Sequence, residues 1–124
     1  MLCAAAPTDA VLLVDDDDGL RAALTFSLET DGRTVLAFAS AEAALAAPLP
    51  RRACMVLDHR LPGLDGLQAF EALRGRGVTG PAIFITSHPK PALYLAAARA
   101  GAAVLEKPLL ADALILAVRS AQHP

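Results

Sequence analysis

Five short apolar runs punctuate the chain: Val11 to Val14, Val35 to Phe38, Cys54 to Leu57, Ala82 to Ile85 and Ala102 to Leu105. Each has the length of a strand buried on both faces, where apolar residues follow one another without alternation. Helical patterns fill the intervals. Leu20, Leu24 and Leu28 form one stripe at four-residue spacing, so a first helix is expected from about Gly19 to Glu29, capped by Asp17 or Asp18. Ser40 with Glu42 opens an alanine-rich second helix that must end by Pro48, and Asp65 opens a third with Leu67, Phe70 and Leu73 on one side. A fourth is expected over about Ala92 to Ala100, started by Pro91 and stopped by Gly101, and a fifth over about Leu110 to Ala121. Short connections and right-handed crossovers convert this alternation into an α/β fold, a five-stranded doubly wound parallel sheet flanked by five helices.

At 124 residues and 55% hydrophobic composition, the chain can fill one core and not two. One domain is expected over residues 10–122, behind a disordered lead at 1–9. No apolar run approaches membrane-spanning length, and the stretch Met1 to Pro7 has no basic region before its apolar patch, so the expected location is the cytoplasm. Cys3 and Cys54 make neither a disulfide framework nor a metal-ligand spacing, and Cys54 is expected as a small core residue. A net charge of −2 argues against a nucleic-acid surface, which needs clustered Lys and Arg. The expected partners are proteins, with no direct contact to nucleic acid or membrane.

The ends of the apolar runs carry the chemistry. The first runs straight into Asp15 and Asp16, the third into Asp58, the fourth into Thr86, and Lys107 lies just past the fifth. In doubly wound sheets ligands bind outside the carboxyl ends of the strands, where the winding reverses. Two carboxylates about 4 Å apart repel by roughly 4 kcal/mol at an effective dielectric near 20, so such a cluster requires a cation or a proton. A hard dication bound by oxygens is the natural resident. Singly, an Asp after a strand is often a helix cap, a Thr a turn former and a Lys part of a solvated face. Polar groups of complementary chemistry at four strand ends of five outweigh those readings.

The residues at these ends, with their neighbours, resemble the receiver domain of bacterial response regulators, the CheY-like superfamily, and in particular the receivers of FixJ-type regulators. The matching segments are Val14-Asp15-Asp16-Asp17, Ser40-Ala41-Glu42, Asp58-His59-Arg60-Leu61-Pro62-Gly63-Leu64-Asp65-Gly66, Ile85-Thr86-Ser87-His88, Ala100-Gly101-Ala102 and Glu106-Lys107-Pro108. The resemblance implies a flavodoxin-like fold and a two-component phosphorelay. It makes Asp58 the phosphoacceptor, places Mg2+ on Asp15, Asp16, Asp58 and the backbone carbonyl of Arg60, and sets the Thr86 hydroxyl and Lys107 on the phosphoryl group. It also implies a cis peptide at Lys107-Pro108 that aims the lysine inward. The implied donor is a sensor histidine kinase or a histidine phosphotransfer protein, and the chain is a self-phosphorylating acceptor with autodephosphorylation, not a turnover enzyme. Signalling is expected through protein contacts of the fourth helix, fifth strand and fifth helix, with a downstream target or a second copy. The expected form is a single-domain regulator; the alternatives are the receiver portion of a FixJ-type transcriptional regulator or an interaction module that is never phosphorylated.

Two departures qualify the resemblance. Where the family carries an aromatic residue three places before the Lys, this chain has Val104, and the segment from Gly101 to Lys107 is one residue shorter than usual. Tyr94, the single tyrosine, is expected mainly to cover apolar surface with its hydroxyl in water. His88-Pro89-Lys90-Pro91 should stiffen the approach to the fourth helix.

Gly75-Arg76-Gly77-Val78-Thr79-Gly80 spells the dinucleotide fingerprint, but it follows a helix and leads into a strand, the reverse of the required context, and is expected to be a flexible loop. His59 and His88 are expected beside the site as modulators of water access, His123 in a frayed tail, and Arg51-Arg52 in a solvated turn. A phosphatase working through an aspartyl-phosphate normally has a second Asp two residues after the nucleophile; position 60 is Arg.

Overall fold

The computed structural model describes residues 10–109 and 111–122. The expected lead at 1–9, with Cys3, the helix start at Leu110 and the tail at His123 lie outside the described residues. The chain alternates strictly: β1 (Ala10–Val14), α1 (Asp18–Thr30), β2 (Thr34–Phe38), α2 (Ala41–Leu45), β3 (Cys54–Asp58), α3 (Gly66–Gly75), β4 (Ala82–Thr86), α4 (Pro91–Ala100), β5 (Ala103–Glu106) and α5 (Ala111–Gln122). All pairings are parallel, in the order β2-β1-β3-β4-β5. The winding reverses at β1, beside β3.

Successive strand residues point to opposite faces, which divides the core in two. Leu12, Val14, Met55, Leu57 and Phe84 face α2, α3 and α4, where Ala44, Phe70, Leu73 and Leu93 meet them. Val11, Leu13, Val56, Ile83 and Ile85 face α1 and α5, where Leu24, Leu28, Leu114 and Val118 meet them. This two-sided burial explains the unbroken apolar runs, and each fully buried Val, Leu, Ile or Phe contributes roughly 1.5–3 kcal/mol. Cys54 belongs to the second face, and its burial pushes the thiol up to about 12. It is a packing residue.

Helix starts follow local chemistry. Asp17 caps α1 by accepting from Leu20 N at 3.0 Å, Ser40 caps α2, and Asp65 forms a reciprocal capping box with Gln68. One strand boundary and one loop differ from expectation in an instructive way. β5 begins at Ala103 and runs to Glu106, one residue late, because Ala102 N is spent on Ala97 O at 2.8 Å in closing α4. The segment 75–80, expected as a flexible loop, is tied down: Ala53 N donates to Thr79 O at 3.0 Å and Thr79 N to Arg51 O at 2.7 Å. Gly80 sits so close to that neighbour, at φ +140°, that a Cβ there would lie 2.0 Å from Ala53 O. Gly80 serves this close approach of two backbones, whereas a Cβ on Gly75 or Gly77 would meet open space.

Candidate functional site

β1 and β3 are neighbours in register, Val14 opposite Leu57, so their next residues, Asp15 and Asp58, emerge side by side at the carboxyl edge of the sheet. Asp16 follows into solvent. One carboxylate oxygen from each of these three residues lies within 4.8 Å of the others. Asp15 is fully buried and Asp58 nearly so.

The neighbouring strands supply the remaining groups. Thr86 closes β4, one step past Ile85, the register partner of Asp58, and is buried. Lys107 follows β5, its backbone N donating to Thr86 O at 2.7 Å, and its peptide bond to Pro108 is cis, as the resemblance implied. The lysine Nζ donates to Asp58 Oδ2 at 3.1 Å and lies 3.5 Å from Asp15 Oδ2. Arg60 N donates to Asp58 Oδ1 at 3.1 Å. Asp58 is therefore held by both oxygens, from its own loop and from across β4.

Charge at this edge is not balanced by the protein alone. One lysine faces three carboxylates. Burial raises the pKa of Asp15, with the Asp58 charge adding to that effect; the hydrogen bond from Asp17 N and the nearness of Lys107 only partly offset it. Partial burial disfavours the charge on Lys107, yet its hydrogen bond to Asp58 and the charges of Asp15 and Asp58 outweigh this and raise its pKa. Asp15 Oδ2 is buried without a hydrogen-bond partner. An orphaned carboxylate oxygen beside two further carboxylates is a fit for a hard divalent cation, which would satisfy the lone pair and the surplus charge together.

Every residue expected at the site is thus at one edge, and Lys107 and the Arg60 backbone touch Asp58 directly. Some supporting groups escape a sequence reading. Arg21 Nη1 donates to Asp15 O at 2.8 Å while Nη2 pairs with Asp18 at 2.6 Å, which fixes the loop carrying the acidic pair. The i, i+3 spacing of Asp18 and Arg21 was the available signal. Gly66 lets α3 start hard against β3: a Cβ there would lie 2.8 Å from Asp58 O. Glu42 packs on the turn at Gly63, where a Cβ would meet its Oε2 at 2.5 Å. Beside the cluster is a hollow of about 660 Å³ whose lining includes Asp16, His59, Arg60, His88 and Lys90, so both histidines flank the site as expected.

The model of the response regulator receiver domain matches residues 11–119. The chain belongs to this family. Similar proteins include the transcriptional regulatory protein FixJ of Azorhizobium caulinodans, 42% identical over 112 residues that make up 89% of this chain and 53% of FixJ. The C4-dicarboxylate transport transcriptional regulatory protein DctD of Rhizobium meliloti is 39% identical over 96% of this chain and 26% of its own. The receiver thus spans about half the length of the FixJ relative and a quarter of DctD. Among solved structures, the response regulator StyR superposes with a TM-score of 0.80 at 34% identity, covering 91% of this chain and 58% of that one. The non-phosphorylated HemR receiver domain of Leptospira biflexa gives 0.81 at 25% identity, covering 93% and 94%. The five-stranded parallel sheet with five helices is therefore the CheY-like receiver fold.

The departures from the family pattern have structural counterparts. Val104 is half-buried on β5 opposite Phe84 and packs on the first core face. Tyr94 is 49% exposed on α4. No helix among the described residues is long and apolar enough to cross a membrane.

Proposed function

We propose that this receiver takes a phosphoryl group from a phosphohistidine donor onto Asp58 in a Mg2+-dependent reaction and loses it by slow self-hydrolysis. The observation that carries the reading is the Asp58 carboxylate itself, held between Arg60 N and Lys107 Nζ beside the orphaned oxygen of Asp15. An Asp58 oxygen forms the new O–P bond as the P–N bond of the donor breaks and the imidazole leaves with the electron pair. Attack by one anion on another needs its repulsion cancelled. Lys107, already 3.1 Å away, supplies one positive charge, and the Thr86 hydroxyl donates to a phosphoryl oxygen. Asp15, Asp16, Asp58 and the Arg60 carbonyl would hold Mg2+, which would supply positive charge against the phosphoryl oxygens. The chain is an acceptor that is consumed and regenerated, not a turnover enzyme.

The donor is a sensor histidine kinase or a histidine phosphotransfer protein, and the setting is cytoplasmic. The signal leaves by protein contacts of α4, β5 and α5, to a target or a second copy, with Tyr94, Leu95 and Leu116 as the exposed apolar groups on those helices. A second reading, the receiver portion of a FixJ-type transcriptional regulator, is favoured by the half-length match to FixJ.

The test is intact mass after incubation with Mg2+ and a small acyl phosphate, for wild type, Asp58→Asn and wild type with EDTA. A hydroxylamine-labile adduct that vanishes in both controls is expected. If neither the acyl phosphate nor a phosphorylated histidine donor gives an adduct, the chain is an interaction module and the proposal fails.

A further inference from the structure

The amino edge of the sheet, opposite Asp58, carries a second concentration of charge, of the other sign. Arg51, Arg52, Arg76, Gly77 and Thr79 line an open hollow of about 560 Å³. All three arginines are exposed, no acidic side chain lines the hollow, and none of the three has an acidic partner among the described residues. Three of the chain's nine arginines therefore meet in one place without a carboxylate partner among the described residues, on a molecule whose net charge is −2. Arg74 stands close by, donating to Gly80 O at 3.0 Å while stacked on Phe70.

The frame around these arginines is rigid. Thr79 is stitched to Arg51 by two bonds, its N at 2.7 Å and its Oγ1 at 2.9 Å from Arg51 O, and Arg76 is oriented by its bond to Leu45 O at 2.8 Å. A lone basic residue after α3 would need no explanation, since cations offset the negative end of a helix. That accounts for Arg74 and Arg76 but not for Arg51 and Arg52, which precede a strand.

We propose that this hollow is a binding site for a compact oligophosphate, such as the phosphate chain of a nucleoside triphosphate. Guanidinium forks match phosphate oxygens in pairs, and arginine, not lysine, is the cation used throughout the hollow. Its size suits a small ligand. The lining holds no aromatic ring to stack a base and no large apolar side chain to anchor a protein. Recognition is through the phosphates. An extended polyanion would need a basic stripe, and a duplex in particular would need contacts spread along its backbone. The Gly75 to Gly80 segment takes part in phosphate recognition through Arg76 and Thr79, at a helix C-terminus, with none of the geometry of a dinucleotide fingerprint.

Calorimetric titration with inorganic tripolyphosphate, in metal-free buffer at physiological ionic strength, tests this. Wild type should bind with one-to-one stoichiometry, ATP should match tripolyphosphate, and Arg51→Gln/Arg52→Gln should weaken both by at least about tenfold, since hydrogen bonds to charged groups are lost. Arg99→Gln, which removes one charge on α4 outside the hollow against two in the double variant, should change affinity less than about twofold because screening removes its long-range effect. Unchanged urea midpoints in both variants show that the fold is intact, as expected for exposed arginines without side-chain partners. The proposal is overturned by the absence of saturable binding, by equal loss in Arg99→Gln, or by ATP binding far tighter than tripolyphosphate. It is also overturned if duplex DNA binds more tightly than tripolyphosphate with the same arginine dependence, which would make the hollow part of a nucleic-acid face.

Discussion

The two edges of the sheet treat charge in opposite ways. At the carboxyl edge, Asp15 and Asp58 are buried, and each charge is answered by a specific atom or left conspicuously unanswered. At the amino edge, Arg51, Arg52 and Arg76 stand in water around Thr79, where like charges are screened and little is lost by leaving them unpaired. The acids stand close together, and a bound cation would relieve their repulsion. The arginines can be changed without touching the core. Chemistry that needs a desolvated, oriented group therefore belongs to the first edge, and reversible ionic binding to the second.

The sharpest way to break the comparison is Lys107→Ala. Removing the cation 3.1 Å from Asp58 should slow phosphoryl acceptance from the acyl phosphate by roughly 10²–10³-fold, the usual effect of deleting one preorganised charge-stabilising donor. Adduct formation followed by mass against time checks it. A change under about tenfold would mean that Lys107 is not aimed at the reacting group.

Next in size is a packing test showing that the amino edge is loose in charge but not in backbone. Gly80→Ala forces a Cβ to within 2.0 Å of a backbone oxygen at φ +140°, whereas Gly77→Ala meets open space at φ +97°. Urea unfolding should show a loss of roughly 3 kcal/mol or more for Gly80→Ala and about 1 kcal/mol for Gly77→Ala.

Magnesium should distinguish the edges without any mutation of the arginines. At a hundredfold excess over its Kd, a ligand bound only by the folded state stabilises it by about 2.7 kcal/mol. Wild type should show a Tm that rises with Mg2+. Asp15→Asn should lose that rise while its metal-free stability is equal to or above wild type, because the substitution removes a buried charge whose Oδ2 makes no hydrogen bond and lies 3.5 Å from Lys107 Nζ. An undiminished Mg2+ response in Asp15→Asn would remove this carboxylate from the metal site.

The smallest effect concerns an ion-pair cluster near the amino edge. Asp31, in the turn between α1 and β2, accepts from Arg33 Nε at 3.2 Å and from Arg119 of α5. Foremost the Arg119 hydrogen bond, then the Arg33 one, hold its pKa below the ordinary 3.8 despite some desolvation. A depressed carboxylate pKa contributes stability that is present above the unfolded value and lost as pH falls toward the folded one. Wild type should thus lose stability below about pH 4 more steeply than Asp31→Asn, a difference visible in urea midpoints. Parallel acid limbs would show that the cluster adds nothing.

How much of this is legible in the sequence follows from the range of each interaction. The strand ends are legible because burial on two faces demands apolar runs, and a run that stops at Asp15 or Asp58 marks where the chain leaves the core. Caps are legible because Asp17, Ser40 and Asp65 bond to backbone groups three residues away. Partners that are distant in sequence leave no such mark. Nothing local tells that Arg119 meets Asp31 or that Gly80 packs on Ala53, and the glycine-rich segment before β4 consequently looked loose when it is pinned.

The sequence by itself determined the alternation of strands and helices, the parallel sheet and the set of acids, hydroxyl and amine at its carboxyl edge, because periodicity and strand-end position are properties of a few consecutive residues. Only the tertiary structure decided which of those groups touch, that Asp15 keeps one oxygen unsatisfied, and that Arg51, Arg52 and Arg76 converge on Thr79. Those facts depend on strand order and register. They arise when segments far apart in the chain are brought within a few ångströms, where burial and distance set the energy of every charge.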